Sequence, residues 1–227
     1  MVIYKSAPEA RSRSFGVSST LCPLIAGFIG YLIGSFPTGY VVGRMRGLDI
    51  RTVGSGNVGA TNVTRVLGKQ FGYPVFLIDF LKGVVPLLLT QAMADHYHLD
   101  PITIDFCIAV AGIFAVIGHS YPVWLGFKGG KGVATSLGLI FGINWIAALV
   151  MFAVWIVAFK VTRYVSVASM IAAIALPVAM VILWLRDELR SPVLVYFSLL
   201  LAAIVVFRHR SNVLRLLSGT EPRSAKK

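Results

Sequence analysis

The chain has 227 residues, of which 57% are hydrophobic and only 13% are charged, and its formal net charge is +12. Soluble chains carry about a quarter charged residues, so this composition excludes an ordinary soluble domain and predicts a membrane protein. Both cysteines, Cys22 and Cys107, lie in apolar runs and indicate small buried side chains rather than a disulfide framework or a metal site.

Residues 1–20 read as a polar tail, and residues 21–227 are predicted to form a single membrane-embedded domain. The first apolar run, 23–43, is long enough to cross a bilayer. Pro37 in its later half loosens the helical hydrogen bonds. Ser35, just before it, fits either small-residue helix packing or a substrate contact.

The next segment, residues 44–71, is polar and rich in hydroxyl, amide and guanidinium donors. A merely solvated loop would carry more Asp, Glu and Pro. Such donors suit a phosphate or glycerol group. The candidate substrate contacts in this segment are Arg44, Ser55, Asn57, Thr61, Asn62 and Arg65.

A second apolar run, 73–89, is interrupted by Asp79 and Lys82. At i,i+3 the two side chains share a helix face and can pair, which is the least costly way to hold charge in lipid. A functional and a purely structural role are equally open for this pair. Residues 94–105 are predicted to form a solvated connecting loop, and 106–117 a third span.

A glycine loop, residues 126–135, follows His119 and precedes another apolar run. Glycines let an anion approach backbone N–H groups, and a helix N-terminus behind them adds further donors. Its sequence is not a Walker A motif. The loop predicts a phosphate-binding segment that uses Lys128, Gly129, Gly130, Lys131, Gly132 and Thr135, with a flexible basic turn at the membrane surface as the alternative.

The stretch after the glycine loop allows two interpretations. As one helix, residues 136–159 would carry Lys160 and Ser166 to the opposite side of the membrane. As two short helices that turn at Asn144, they would bring these residues back to the side of the loop. Residues 170–185 and 193–207 are the remaining spans, and a basic tail follows them.

Charge favours the turn at Asn144. With it, one face collects 15 of the 21 Lys and Arg residues: Arg44, Arg46, Arg51, Arg65, Lys69, Lys128, Lys131, Lys160, Arg163, Arg208, Arg210, Arg215, Arg223, Lys226 and Lys227. The positive-inside rule places that face in the cytoplasm. The sequence therefore predicts an all-α polytopic membrane protein with about seven transmembrane helices, some short or broken, an outside N-terminus and a cytoplasmic C-terminus.

This predicted face carries only two acids, Asp49 and Glu221. So few carboxylates disfavour Mg²⁺- or Ca²⁺-dependent phosphate chemistry and a Ser-His-Asp triad. We therefore expect anions bound directly by protein groups, with no metal, no cofactor and no nucleic-acid partner. A phosphate site at the membrane surface suggests a lipid headgroup precursor, with an acyl chain entering from the bilayer.

Three strings carry a specific resemblance: Ser55 to Asn62 with Arg65, Gly118-His119 to Thr135, and His209 through Asn212 to Glu221. In order and spacing they resemble the three motifs of the acyl-phosphate-dependent glycerol-3-phosphate acyltransferases, the PlsY family. The likeness covers residues 24–223. It implies transfer of a fatty acyl group from acyl phosphate to the 1-hydroxyl of sn-glycerol 3-phosphate, giving lysophosphatidic acid and phosphate, in the bacterial inner membrane and without a protein partner.

The resemblance also implies roles for individual residues. Lys128, Lys131 and the loop glycines would hold a substrate phosphate, and Ser55 and Arg65 the other anion or the transferring group. His209 and Asn212 would polarise the acceptor hydroxyl, Ser166 would contact substrate, and Glu221 would be structural. Either His209 or the departing phosphate could take the hydroxyl proton. A transporter of a phosphorylated metabolite is the alternative function, although its polar residues should lie near mid-membrane.

Overall fold

The structure is a computed structural model that describes residues 17–223, so most of the predicted N-terminal tail and two C-terminal lysines lie outside the described residues. Ten α-helices and no strand occur within that range. They are α1 (Val17–Ser35), α2 (Thr38–Met45), α3 (Ala60–Leu67), α4 (Lys69–His96), α5 (Pro101–Ser120), α6 (Val133–Ile143), α7 (Trp145–Thr162), α8 (Val165–Leu185), α9 (Val193–Arg208) and α10 (Arg210–Leu217). The predicted all-α class is confirmed.

Five segments are long and apolar enough to cross a membrane, and α9 with α10 makes a sixth if that pair, bent by 49°, counts as one span. The five candidate spans are Thr20–Met45, α4, Pro101–Leu125, α7 and α8. Helix α6 is apolar but has only 11 residues. A count of seven is reached only if α6 serves as a short span, so the number of spans and the orientation of the termini stay predictions.

The first predicted span is broken. Helix α1 ends at Ser35, and α2 begins at Thr38 after Pro37, whose missing N–H cannot continue the helical ladder. On its inner side α1 runs parallel to α5 at very close range, because Gly30 and Gly34 lie directly against the backbone of Ala111 and Ala115. Small residues are what allow two helix backbones to approach this closely in a membrane.

The connection between α4 and α5 is shorter than the predicted loop of residues 94–105. Helix α4 continues to His96, and α5 already begins at Pro101. Asp100 caps α5, since its carboxylate accepts hydrogen bonds from the N–H groups of Ile102 and Thr103. The loop prediction is therefore wrong for Asp95, which lies inside α4, and for Asp100, which caps the start of α5.

The chain turns at Asn144, as predicted. Its backbone is extended, and its side chain caps α7 by accepting a hydrogen bond from the N–H of Ala147. The turn brings Ser166, at the start of α8, into hydrogen-bond contact with Glu221, while Arg208 at the end of α9 contacts the glycine loop. The start of α6, the start of α8 and the end of α9 therefore lie at one end of the helix bundle. Of the two helices joined at Asn144, both predicted to be short, only α6 is short, with 11 residues, whereas α7 has 18.

The main hydrophobic core lies between helices α4 to α9, around the fully buried Leu139, Ile140, Leu176, Met180 and Leu201. Many large apolar side chains on the outer helix faces are exposed, as is usual for surfaces that contact lipid tails. A smaller cluster around Ile50 and Val63 fixes the polar segment between α2 and α4. That cluster holds one wall of the cavity described next.

Candidate active site

A cavity of about 440 Å³ lies at the end of the bundle where α3, α4, α6 and α8 begin and α9 ends. Its polar wall includes ten residues that the sequence singled out: Ser55, Asn57, Thr61, Asn62, Arg65, Lys131, Gly132, Ser166, His209 and Asn212. These residues come from four separate segments of the chain. The structure thus brings together most of the predicted site, although 154 residues separate Ser55 from His209.

Asn62 organises the first segment from within. Its Nδ2 donates to the carbonyl oxygens of Ile50 (3.2 Å) and Val53 (3.1 Å), and its Oδ1 accepts from the N–H of Ser55 (2.8 Å). All the usual donors of this buried amide are therefore occupied by the protein. Asn62 positions the segment that carries Ser55, and this geometry leaves it no free donor for a substrate.

The side chains of Ser55 and Arg65 remain available. Ser55 stands between Gly54 (φ +61°) and Gly56 (φ +69°), two left-handed positions that turn the chain sharply around it. Arg65 projects from α3 and makes no ion pair with a carboxylate within residues 17–223. A hydroxyl and a guanidinium without an acidic partner on the same wall can bind an anion.

The amides of Gly129 and Gly130 in the glycine loop are bonded within the protein, and neither residue lines the cavity. The N–H of Gly129 donates to the carbonyl oxygen of Ser120 (3.1 Å), and the N–H of Gly130 donates to that of His119 (3.0 Å). An added Cβ at Gly130 would collide with His119 Nε2, and one at Gly129 with the His119 carbonyl oxygen. These glycines are needed for close packing on the end of α5, and the expected use of their amides as phosphate donors does not fit this geometry.

What the loop does present to the cavity is its end. Lys131 and Gly132 line the cavity, together with the first residues of α6. Lys128 is exposed and lies outside the cavity. Thr135 is fully buried, and its hydroxyl donates to the carbonyl oxygen of Asp79 (2.9 Å), so it joins α6 to α4 instead of facing a ligand.

The surroundings of Lys131 in the cavity shift the pKa of its ammonium group. Burial, opposed by the charge of Glu221 and helped by the positive charges of Arg215, Arg208 and Arg65, lowers its pKa to about 8. A half-buried ammonium group among three guanidinium groups is a strongly electropositive site. A doubly charged phosphate would relieve this repulsion on binding.

His209 lies at the bend between α9 and α10 and is almost fully buried. Its Nδ1 is 2.8 Å from the carbonyl oxygen of Val205, which can only accept, so Nδ1 carries the proton. In the neutral ring Nε2 is then an acceptor, and it has no hydrogen-bond partner within the described part of the chain. A histidine held in this way can accept a proton from a hydroxyl group.

Glu221 holds the third segment together. Its Oε1 accepts from Ser166 Oγ (2.6 Å) and Asn212 Nδ2 (2.7 Å), and its Oε2 accepts from Arg215 Nε (2.8 Å). Burial acts to raise the pKa of Glu221, but these three hydrogen bonds outweigh it and hold the pKa below its usual range. Asn212 lines the cavity, and its Oδ1 is buried with no hydrogen-bond partner in the described chain, so this acceptor is left for a substrate hydroxyl.

An ion pair that the sequence left undecided reaches the same cavity. Asp79 Oδ1 and Lys82 Nζ are 2.6 Å apart, and Lys82 also donates to the carbonyl oxygen of Phe36 at the break between α1 and α2. Asp79 lines the cavity 3.7 Å from His119 Nδ1. The prediction of only two acids on this face, Asp49 and Glu221, is therefore wrong, because Asp79 lines the cavity as well. Within residues 17–223 no ion pair joins a carboxylate to His209, whose Nδ1 instead binds the Val205 backbone carbonyl.

Two further predicted residues, Ser35 and Arg44, also lie outside the cavity. Ser35 is fully buried beside Gly118, where α1 crosses α5, which is the packing alternative for this residue. Arg44 is exposed at the end of α2, with its guanidinium 5.9 Å from the centre of the Tyr40 ring. Neither residue lines the cavity.

The other wall of the cavity is apolar. It is formed by side chains of α4, α6, α7, α8 and α9: Tyr73, Phe76, Leu137, Met151, Phe152, Trp155, Ala172, Ala173 and Val205. Tyr73, Phe76 and Phe152 are also exposed on the outer surface of the bundle, at 62%, 42% and 46%. The cavity therefore joins a cationic wall to an apolar wall that reaches the lipid-facing surface, a combination that suits an anionic headgroup with an acyl chain.

Sequence reasoning assigned no role to His119, Arg208 or Arg215, although all three belong to this site or support it. Each had a signal. His119 lies seven residues before the first glycine of the loop, Arg208 directly precedes His209, and Arg215 lies one helical turn after Asn212.

Together the helices and the cavity define an α-helical integral membrane protein with a cationic site at one end of its bundle. Residues 24–219 match the family described as glycerol-3-phosphate acyltransferase. The chain is 45% identical to a glycerol-3-phosphate acyltransferase of Aquifex aeolicus over 85% of its own length and 94% of the relative, and 44% identical to one of Prochlorococcus marinus over 86% and 95%.

Two solved structures have the same fold. Both are crystal structures of PlsY, described as an integral membrane glycerol 3-phosphate acyltransferase. The glycerol 3-phosphate form matches with a TM-score of 0.77 and 41% identity, covering 89% of this chain and 96% of that one. The lysophosphatidic acid form matches with a TM-score of 0.75 and 40% identity, covering 89% and 95%. The chain belongs to the glycerol-3-phosphate acyltransferase family and is an integral membrane acyltransferase of phospholipid biosynthesis.

Proposed function

We propose that this protein transfers a fatty acyl group from acyl phosphate to the 1-hydroxyl of sn-glycerol 3-phosphate. The products are lysophosphatidic acid and inorganic phosphate. The observation that carries the proposal is the joining of a cationic wall and an apolar, lipid-facing wall in one cavity. Both substrates are anions, and one of them carries an acyl chain that needs the apolar wall.

Lys131 and Arg65 are the natural ligands for the two phosphate groups, because each lines the cavity without an ion-pair partner in the described chain. Ser55 Oγ adds a hydroxyl on the same wall. Both cations serve the same pair of anions. The acyl chain lies along Phe76, Phe152 and their neighbours.

The chemistry is a direct transfer. The 1-hydroxyl oxygen attacks the acyl carbon, the bond from that carbon to the phosphate oxygen breaks, and phosphate leaves with the bonding electrons. Acyl phosphate is a mixed anhydride with a good leaving group, so no covalent enzyme nucleophile is required. The cationic wall stabilises the charge that develops on the departing phosphate and holds the reactants together. His209 Nε2 takes the hydroxyl proton, and Asn212 Oδ1 orients the hydroxyl.

The same proposal places the protein in the bacterial inner membrane with the cavity facing the cytoplasm. In support, exposed cations surround the cavity end of the bundle: Arg44, Arg46, Arg51, Lys69, Lys128, Lys160 and Arg210. Basic residues are concentrated on the cytoplasmic side of membrane proteins. No protein partner is needed for the reaction as proposed, since each group in it comes from this chain.

Initial-rate kinetics with purified protein in lipid vesicles test the mechanism. Varying both substrates should give intersecting lines, as expected for a ternary complex, with acyl-CoA and acyl-carrier protein unable to replace acyl phosphate. Rates should be unchanged by a chelator. Parallel lines, or an acylated protein trapped from radiolabelled acyl phosphate alone, would overturn direct transfer. Uptake of glycerol 3-phosphate into vesicles without acylation would favour a transporter.

A further inference from the structure

Arg208, the last residue of α9, is bound to the glycine loop. Its guanidinium donates to the carbonyl oxygen of Gly130 through Nη2 (2.8 Å) and Nε (3.2 Å), and to that of Gly129 through Nη2 (3.3 Å). The same group lies over the ring of Tyr121, 4.5 Å from its centre. Three hydrogen bonds and a ring contact fix this side chain in one orientation.

Arg208 is not among the residues that line the cavity. Its partners are two backbone carbonyls, which a bound substrate does not replace. The contacts therefore do not resemble an anion site, in which the guanidinium would point at open space. They join two segments of the site that are about 80 residues apart in sequence.

The two segments carry different functional groups. Gly130 is followed directly by Lys131, and Arg208 is followed directly by His209. The far side of the loop is held as well, because the N–H groups of Gly129 and Gly130 bind the end of α5. The loop is therefore clamped between α5 and α9, and the position of Lys131 relative to His209 depends on that clamp.

We propose that Arg208 is a positioning residue that holds the glycine loop on the end of α9 and thereby sets the separation between the anion-binding Lys131 and the proton-accepting His209. The inference rests on the proposed function for its kinetic consequence, but the clamp itself is a structural claim. The planar guanidinium is required, since its fork of N–H donors reaches both carbonyls while a lysine ammonium acts as a single compact charge.

Two variants separate the clamp from a simple charge effect. R208K keeps the positive charge near Lys131, and R208Q removes it. If Arg208 is a clamp, both variants should raise the KM for glycerol 3-phosphate and lower kcat, so that kcat/KM falls about 10- to 100-fold in each, because small misplacements of reacting groups are costly. R210Q, which removes an exposed arginine two residues away that stacks on Phe207, is the matched control and should stay within about threefold of the wild type.

A second readout does not depend on catalysis. In folded protein, trypsin should cleave after Lys128 and Lys131 faster in R208K and R208Q than in the wild type and R210Q, because the released loop becomes accessible. An R208K variant with wild-type kcat/KM and wild-type cleavage would overturn the clamp, as would R208Q behaving like R210Q in both assays. If the wild type shows no acyltransferase activity, the proposed function fails while the cleavage comparison still decides the clamp.

Discussion

At the scale of single residues, the groups that the cavity offers to an anion are the free side chains of its polar wall and the end of the glycine loop. The amides of Gly129 and Gly130 donate hydrogen bonds to carbonyl oxygens at the end of α5, and the lack of side chains on these glycines allows the close packing. Asn62 and Thr135 are likewise committed to internal hydrogen bonds. The side chains left for substrates are few, and each should make a large and separable contribution.

The charge of Lys131 should be visible in the pH dependence of substrate binding. Because burial lowers its pKa to about 8, the free protein carries this charge below pH 8 and loses it as the pH rises. We therefore expect kcat/KM for glycerol 3-phosphate to fall by up to about tenfold per pH unit above pH 8, since this ratio reports ionisations of the free enzyme. The measurement is a kcat/KM profile from pH 6 to pH 10.

The variant K131R supplies the control for that profile, because arginine stays charged throughout the range. It should remove the fall above pH 8 even if its overall activity is lower. An identical fall in K131R would assign the ionisation to another group.

His209 should matter for the chemical step. Its Nδ1 is held by the Val205 carbonyl, which leaves Nε2 to accept the hydroxyl proton. We expect H209A to lower kcat by about 10²- to 10⁴-fold, the usual contribution of general-base catalysis, with a smaller change in KM. The measurement is steady-state kinetics at saturating acyl phosphate. A loss of less than tenfold in folded H209A would show that the departing phosphate accepts the proton.

At the scale of helices, backbone contact decides the packing. Gly34 of α1 faces the backbone of Ala115 in α5, so an added Cβ would meet the Ala115 carbonyl group, which cannot move aside without separating the helices. Gly27, in the same interface, faces side chains instead of backbone: Val110, 3.1 Å from where its Cβ would lie, and the Phe114 ring, at 3.4 Å. The two positions offer a matched comparison.

We expect G34A to destabilise the folded protein by about 1–3 kcal/mol, in the range of overpacking, and G27A to cost less because Val110 can change rotamer. Thermal unfolding of both variants in the same detergent measures the difference. Equal melting temperatures for G34A and G27A would mean that α1 and α5 are not in backbone contact.

Much of the helical architecture could be predicted from sequence, and the reasons differ between elements. The apolar runs that form α8 and α9 could be predicted as helical spans from their length and composition. The turn at Asn144 was recognisable because an asparagine interrupts an apolar stretch and because the charge distribution required it. Helices α3 and α10 were missed, since each has only eight residues and lies in a polar segment without a long apolar run.

The site was predictable as a set of motifs but not as a geometry. Donor-rich strings identify Ser55, Arg65 and His209, because such residues are uncommon in an apolar chain. Whether a donor is free depends on contacts across the fold. Thr135 bonds to Asp79, 56 residues away, and Arg208 bonds to Gly130, 78 residues away. Neither pairing has a local sequence signal.

At the scale of the whole molecule, the turn at Asn144 and the ends of the long helices place the exposed cations around one end of the bundle. If that end faces the cytoplasm, a cysteine at Lys160, at the end of α7, should be protected from an impermeant thiol reagent added to sealed cells. A cysteine at Arg186, just after α8 at the opposite end, should react. Both variants are made with Cys22 and Cys107 replaced by alanine. Labelling of Lys160→Cys with protection of Arg186→Cys would reverse the orientation.

The central claim is that one cavity holds acyl phosphate and glycerol 3-phosphate together and transfers the acyl group directly between them. The most direct measurement is phosphate release from acyl phosphate by the purified protein in lipid vesicles, with and without glycerol 3-phosphate, alongside the amount of lysophosphatidic acid formed. We predict release only when glycerol 3-phosphate is present, with one phosphate for each lysophosphatidic acid. Equal release in its absence, or release without formation of lysophosphatidic acid, would contradict the account.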